Sequence, residues 1–246
     1  MPQSIKGLIE MKKVIILLSL VVLMTACQDD PPPVDPAVAE RLRIKSVNDT
    51  IVLKARQIIQ TGDLVLRTGI DFSSDQVKDL SLKDKTYSHG GIALVENDSI
   101  YIYHVEPDYY YITDKVRKEP LDSFCNPEKN YGIGIARYNL SGEEKQKFIA
   151  YLEEQYQKKI PFDVRFLLNT NDSMYCSEMI KKGLAQSTAN RITIAPLRFN
   201  DRRKFRLIKR YFKLREEQFV NREIIPIDHL YLNPECELLK KYIYLK

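Results

Sequence analysis

The stretch TYSHGGIALVENDSIYIYHVEPD, from Thr86 to Asp108, predicts a β-hairpin with functional groups at its open end. Apolar residues alternate with other types on each side of Glu96–Asp98, a step that is typical of a tight turn. Pairing about this turn sets position 89 opposite position 106, with Cβ atoms about 4.5–5.5 Å apart. We therefore expect the carboxylate of Glu106 beside the imidazole of His89.

A carboxylate next to an imidazole fixes its tautomer and favours its charged form, which suits the base of a catalytic triad. The candidate nucleophile is Cys176, in the sequence YCSE. We expect it in the first turn of a helix that ends near Ser187, with Asn171, Asp172 or Ser173 as the N-cap. There the positive end of the helix and its unpaired amides favour a thiolate and can hold an oxyanion.

Each of these residues also has a structural interpretation. A histidine on a strand or a cysteine in a helix is often an ordinary core residue, and Glu106 before Pro107 can simply end a strand. Tyr175, next to the cysteine, is predicted to contact substrate, with a core role left open. The three groups together favour catalysis.

The remaining pattern predicts an α+β fold with an antiparallel sheet of four to six strands packed against helices. Helical spacing runs over Val38–Gln60 and stops at Gly62, and GDLVLR follows as a strand. YYYITDKV and YGIGIARY read as two further strands. Ser141 and Glu144 form a capping box for a second helix.

In chain order, GDLVLR, SHGGIALV, HVEP and YCSEMI resemble the permuted NlpC-type papain-like amidases, the YaeF and YiiX group. Enzymes of NlpC type normally place the cysteine helix before these strands, whereas the permuted group places it after them, as here. PFDVRF, at positions 161–166, is a further likeness, and the resemblance covers about Gly62 to Leu184.

The resemblance implies a circularly permuted papain-like fold, with an antiparallel sheet or small barrel packed against helices. It implies Cys176 as nucleophile, His89 as general base and Glu106 as orienting acid, acting on amide bonds of cell-wall-type peptides or on related acyl bonds. It implies no cofactor and no metal, and the sequence has no Cys-x-x-Cys or His/Cys cluster with metal spacing. Two glycines follow His89 where a larger apolar residue is common, which predicts a wider pocket with Gly90 in contact with substrate.

The N-terminus predicts export. Residues 1–26 resemble a signal peptide, with Met11 as the expected start, two lysines and a short apolar run. LMTAC resembles the lipobox of bacterial lipoproteins, which implies a diacylated Cys27 anchored to a membrane. Residues 27–37, with QDDPPPVDP, read as a stiff tether, and Gln28 is compatible with sorting to the outer membrane.

Residues 38–246 are then predicted to form the catalytic domain, with a basic C-terminal extension at 198–222. This extension is interpreted as a solvated surface or a contact for anionic lipid or polymer, and nucleic acid is not expected in an exported protein. A net charge of +5 and an apolar fraction of 44% name no partner. Cys125 and Cys236 can be free or paired.

The sequence thus predicts a monomeric, lipid-anchored cysteine hydrolase of the cell envelope whose substrate is a peptide or acyl compound. Two alternatives remain open. One is a papain-like module that binds envelope peptide or lipid without turnover, and the other is an acyltransferase or acyl hydrolase.

Overall fold

The computed structural model describes residues 35–107, 115–198 and 222–246. The chain divides into two units between Leu42 and Arg43, inside helix α1 (Pro36–Ile58). In the smaller unit Asp35 caps this helix, since its Oδ1 accepts a hydrogen bond from the Ala37 N–H at 2.8 Å. The larger unit contains the sheet and the features described below.

All neighbouring strands of the main sheet are antiparallel, in the order β4-β3-β2-β1-β5-β8. These strands are β1 (Leu64–Gly69), β2 (His89–Glu96), β3 (Ser99–His104), β4 (Arg117–Pro120), β5 (Asn130–Tyr138) and β8 (Cys236–Ile243). A separate pair is formed by β6 (Leu197–Arg198) and β7 (Glu223–Ile224). Among the described residues of this unit, the helices after α1 are α2 (Phe72–Lys78), α3 (Leu121–Phe124), α4 (Gly142–Gln157), α5 (Cys176–Ser187) and α6 (Ile227–Tyr231). The predicted α+β class and strand number are confirmed.

Apolar residues cover both faces of the sheet. On one face Leu64, Leu66 and Ile92 belong to a buried cluster with residues of α4 and α5. On the other face Val65 and Ala93 belong to a second cluster with residues of α1. Since side chains alternate along a strand, the consecutive apolar residues LVL of β1 contribute to the buried clusters on both faces of the sheet.

The hairpin forms in the predicted register. Glu96 pairs with Ser99 and Ile92 with Tyr103, so the series continues toward positions 89 and 106. Asn97 and Asp98 have φ values of 47° and 62°, as a two-residue turn of type I′ requires. Asn and Asp tolerate this left-handed conformation better than most residues, which explains why this step closes the hairpin.

The predicted start of the cysteine helix is wrong. Helix α5 begins at Cys176 itself, and Tyr175 is its N-cap residue. The chain is still extended at Met174, whose N–H bonds to Pro161 O at 3.0 Å and whose carbonyl accepts the Asp163 N–H at 3.1 Å. These long-range bonds hold the segment against another loop, so Asn171, Asp172 and Ser173 do not cap the helix.

Several sequence predictions fall outside the described residues. They concern the signal peptide, Cys27 and most of the tether, most of the YYYITDKV segment, and the basic extension between 199 and 221. Cys125 and Cys236 are free thiols. In the described part of the chain, no helix combines the length and apolar character needed to cross a bilayer.

Candidate active site

A cavity of about 490 Å³ brings together residues from the sheet and from the start of α5. Arg67 comes from β1, His89 from the first position of β2, Glu106 from the segment after β3, and Cys176 from the first turn of α5. The two strands and the helix that carry the predicted groups therefore converge on one cavity. Both the thiol and the imidazole line this cavity.

The Cys176 thiol lies against strand β2 of the sheet, beside Gly90, the residue that follows His89. Its sulfur accepts hydrogen bonds from the backbone N–H groups of Gly90 and Ser177. The side chain is nearly buried, at 7% exposure, and burial raises its pKa to about 11 in spite of these two bonds. The expectation of a lowered pKa is therefore wrong, because loss of hydration outweighs the helix N-terminus.

His89 is held by a second histidine. Its Nε2 lies 3.0 Å from Nδ1 of His104, whereas the nearest oxygen of Glu106 is 3.9 Å from the same Nε2. Burial, together with the positive charge of Arg67, lowers the pKa of His89 well below 6.5, and Glu106 opposes this only in part. The imidazole is therefore neutral at neutral pH.

Glu106 lies beside His89 as the register predicted, but its main partner is an arginine. Arg67 donates a hydrogen bond to the carboxylate, and Arg117 Nη1 lies 3.6 Å from its other oxygen. Burial alone would raise the pKa of Glu106, yet positive charge beside it, from His89 when that ring is protonated and from Arg67 and Arg117, lowers it to about 2. Because β1 pairs Arg67 with His89, the strand brings a guanidinium that competes with the imidazole for this carboxylate.

His104 connects His89 to a further carboxylate. It is fully buried, and its Nε2 lies 2.9 Å from Glu119 Oε2 on β4. Burial raises the pKa of Glu119, but the close contact with His104 lowers it below its ordinary value. The contact is short, yet the ring N–H is not aligned as in a regular hydrogen bond. A proton on Nε2 of His104 satisfies this carboxylate and leaves Nδ1 to accept the Nε2–H of His89. His89 then keeps its lone pair on Nδ1.

The aromatic ring of Phe124 packs against three groups of the site, which are the imidazoles of His89 and His104 and the guanidinium of Arg67. The Phe124 ring centre lies 5.0 Å from that of His104, 5.7 Å from that of His89 and 4.7 Å from the Arg67 guanidinium carbon. Phe124 is completely buried in the last turn of α3. Phe124 thus contacts both imidazoles and the guanidinium from one side of the site.

The two residues predicted to contact substrate differ in position. Tyr175 lines the cavity, and it also packs on Phe166 at 4.9 Å and accepts the Ile225 N–H at 2.8 Å, so both interpretations of it hold. Gly90 is not among the residues that line the cavity in the described chain. A Cβ at Gly90 would lie 3.3 Å from the side chains of Leu64 and Leu66, so this glycine leaves room for these two leucines of the neighbouring strand β1.

Sequence reasoning missed Arg67, Glu119 and the importance of His104. The strand period offered a signal for His104, since it shares a face with Glu106 and thus with His89. Arg67 and Glu119 reach the site through pairing of β1 with β2 and of β3 with β4. The connections between these strands are long, so no local pattern reveals their registers.

Side-chain donors of His89, His104 and Glu106 lie within 4.8 Å of one another, a set that the sequence did not suggest as a metal site. Two imidazoles and a carboxylate are common metal ligands. Here, however, the facing imidazole nitrogens bond to each other and Glu106 bonds to Arg67. A metal ion would have to break the contact between the two imidazoles and lie next to the guanidinium of Arg67. As they are arranged, these residues therefore do not fit a resident metal ion.

Comparison with known proteins identifies the fold. The model of a family described as permuted papain-like amidase enzymes, YaeF/YiiX, matches residues 58–206, more than half of the chain. The solved structure of metalloprotein YiiX from Escherichia coli O157:H7 is similar with a TM-score of 0.60 and 18% sequence identity. That likeness covers 75% of this chain and 98% of the other. A search among curated proteins finds no match.

Proposed function

Because the chain belongs to the family of permuted papain-like amidases, we propose that it is a cysteine hydrolase that cleaves amide bonds with Cys176 as nucleophile and His89 as general base. The observation that carries the proposal is the position of the thiol. It lines the same cavity as the imidazole and bonds to the amide of the next residue, Gly90. Family membership supports the reaction class, and the geometry supports the assignment of roles.

In this mechanism the resting pair is a neutral thiol and a neutral imidazole. Nδ1 of His89 takes the thiol proton as the sulfur attacks the substrate carbonyl, and the same proton then passes to the leaving nitrogen. Water attacks the resulting thioester, with His89 again as the base. The N–H groups of Gly90 and Ser177, which bond the thiol at rest, are suitably close to stabilise charge on sulfur as it forms or leaves.

His104 and Glu106 have different roles in the proposal. His104, fixed by Glu119, accepts the Nε2–H of His89 and keeps the lone pair of His89 on Nδ1. Glu106 is 3.9 Å from the ring and neutralises Arg67, and it stabilises the imidazolium through charge rather than by a direct hydrogen bond. The orienting role that the sequence predicted for Glu106 alone is thus divided between His104 and Glu106.

Hydrolysis of hexanoyl-p-nitroanilide and p-nitrophenyl hexanoate tests the proposal. We expect Cys176→Ala and His89→Ala each to abolish release of the chromophore, whereas Cys236→Ala, a matched change in β8, leaves it unchanged. Turnover that persists in Cys176→Ala would contradict the proposal. Binding of ligand without turnover in the unaltered protein would instead support the second candidate, a non-catalytic module, for which the raised pKa of Cys176 is the favouring observation.

We also propose that the protein works in the bacterial cell envelope, held to a membrane by lipid on Cys27. The support comes from the LMTAC sequence and the proline-rich segment that follows it. LMTAC lies outside the described residues, as does the proline-rich segment up to residue 34.

A further inference from the structure

The cluster of His89, His104 and Glu106 has nearly the ligand spacing of a zinc site. The facing imidazole nitrogens are 3.0 Å apart, and the carboxylate of Glu106 lies 3.9 Å from His89 Nε2. Two nitrogen ligands of a tetrahedral Zn²⁺, each at about 2.0–2.1 Å from the ion, are about 3.3 Å apart. Shifts of about half an ångström would therefore bring these donor atoms to the separations that the ion requires.

A carboxylate also lies where zinc proteins commonly have one, outside the ligands themselves. The histidine ligands of zinc usually contact such a group through the ring nitrogen that does not bind the metal. Here Nε2 of the buried His104 lies 2.9 Å from Glu119. His89 and Glu106 line the cavity, so the cluster also has an entry path for an ion.

The guanidinium of Arg67 opposes a metal ion in this cluster. It donates a hydrogen bond to Glu106, and its carbon lies 4.7 Å from the centre of the Phe124 ring. The Arg67 side chain is only 13% exposed, and β1 pairs this residue with His89 of β2. Arginine stays protonated in proteins, and repulsion between like charges is strong where water is scarce. The cluster therefore combines zinc ligands with a fixed positive charge.

We propose that His89, His104 and Glu106 form a latent Zn²⁺ site from which the charge of Arg67 excludes the ion. This inference goes beyond the proposed hydrolase and does not depend on it. It has a consequence for that mechanism, because a neutral imidazole that binds a metal through Nε2 carries its proton on Nδ1. Such a ring cannot accept the thiol proton, so Arg67 protects the general base from zinc.

Calorimetric binding of Zn²⁺ to the metal-free, full-length protein tests the proposal. Arg67→Met removes the charge and keeps a long apolar side chain against Phe124. We expect this variant to bind Zn²⁺ about a hundredfold or more tightly than the unaltered protein, because the repulsion is lost. Equal affinities would overturn the proposal. If Arg67→Met does not fold, Arg67→Gln replaces it with the same expectation, since its amide is neutral and can still donate to Glu106.

Two further variants separate the charge of Arg67 from other effects. Arg67→Lys keeps the charge and should bind Zn²⁺ as weakly as the unaltered protein. Arg56→Met makes the same change as Arg67→Met at an arginine that pairs with Asp122 at 2.8 Å and does not line the cavity. It should gain no affinity. Tight binding by Arg67→Lys, or an equal gain in Arg56→Met, would overturn the proposal.

The ligands are identified with Co²⁺ as a spectroscopic substitute for Zn²⁺. The double variant Arg67→Met/His104→Ala should lose the affinity that Arg67→Met gains. Absorption by Co²⁺ bound to Arg67→Met should also lack the sulfur-to-metal charge-transfer band that coordination by Cys176 would produce. Retained affinity in the double variant, or the presence of that band, would assign the ion to other ligands and overturn the proposal.

Hydrolysis of p-nitrophenyl hexanoate distinguishes failure of this inference from failure of the proposed function, because zinc binding needs no turnover. If Arg67→Met binds Zn²⁺ as expected while the unaltered protein does not hydrolyse the ester, the exclusion of zinc stands and the proposed function fails. If the unaltered protein hydrolyses the ester while Arg67→Met gains no affinity for Zn²⁺, the function stands and this inference fails.

Discussion

Burial decides the protonation of the two side chains that are proposed to react. Both charged forms lose hydration in the cavity, which raises the pKa of Cys176 to about 11 and lowers that of His89 well below 6.5. The stable resting state is therefore the neutral pair rather than a thiolate and an imidazolium. Proton transfer must accompany attack on the substrate, which makes the tautomer of His89 important.

The pH dependence of kcat/KM should reflect the lowered pKa of His89. The neutral base is present above its pKa and is lost as the pH falls through that value, so we expect activity to persist below pH 6.5 and to decline only in more acidic solution. A pH profile of p-nitroanilide hydrolysis between pH 4 and 9 checks this. If kcat/KM reaches half of its maximum only at or above pH 6.5, the pKa of His89 is not lowered as described.

Glu119 should act as a positioning residue through His104. In Glu119→Leu the Nε2 of His104 loses its acceptor, so the proton can move to Nδ1 and displace that of His89. We expect kcat to fall about tenfold or more with little change in KM. Glu119→Gln keeps a carbonyl acceptor and should restore most of kcat.

The control for Glu119 is Glu96→Leu, which removes an exposed partner of Lys118 at the other end of the hairpin. It should leave both kinetic constants unchanged. Equal losses in Glu119→Leu and Glu119→Gln, or a loss only in folding stability, would argue against control of the tautomer.

Among the strands and helices, the β2–β3 hairpin places several groups of the site and is itself constrained by close packing. It sets His89 near Glu106 and His104, and it requires the backbones to approach closely at Gly91. A Cβ at this position would lie 2.4 Å from Ile102 Cγ2 and 2.8 Å from Tyr103 O. The second glycine of SHGG is therefore explained by strand packing next to His104.

Gly91→Ala should lower the free energy of unfolding by about 1–3 kcal/mol, because the added methyl group forces β2 and β3 apart. It should also reduce activity, since His104 shifts with β3. Denaturant unfolding measures the first effect. Gly142→Ala is the matched control, with no atom within 4 Å of the added methyl group at the start of α4, and it should be neutral or slightly stabilising. Equal stability of the two variants would contradict the packing described.

These elements also show what the sequence could and could not predict. The hairpin was predictable because Asn97 and Asp98 close it within a few residues, and its register then follows by counting. The start of α5 was mispredicted because distant backbone bonds at Met174 override three good N-cap residues. The role of Arg67 could not be predicted because it depends on the pairing of two strands that are joined by a long connection. The raised pKa of Cys176 depends on burial, which a sequence motif does not indicate.

For the molecule as a whole, the described residues supply the fold and the cavity, while the proposed attachment to a membrane depends on segments outside them.

Lipid attachment predicts a change in partitioning when Cys27 is replaced. Full-length protein expressed in bacteria should sediment with membranes, and Cys27→Ser should shift it to the soluble fraction or leave it with an uncleaved leader. Mass spectrometry of the purified protein should find diacylglycerol on Cys27. A control change of Cys236→Ser should leave the distribution unchanged, and equal sedimentation of both variants with no lipid detected would contradict the anchor.

The most direct measurement is the mass of the intact protein during turnover of an activated acyl ester. After rapid acid quenching with p-nitrophenyl hexanoate, we expect an increase equal to one hexanoyl group, located on Cys176 by peptide mapping and absent from Cys176→Ala. An acyl group found on another residue, or undiminished hydrolysis by Cys176→Ala, would contradict the assignment of this thiol as the nucleophile.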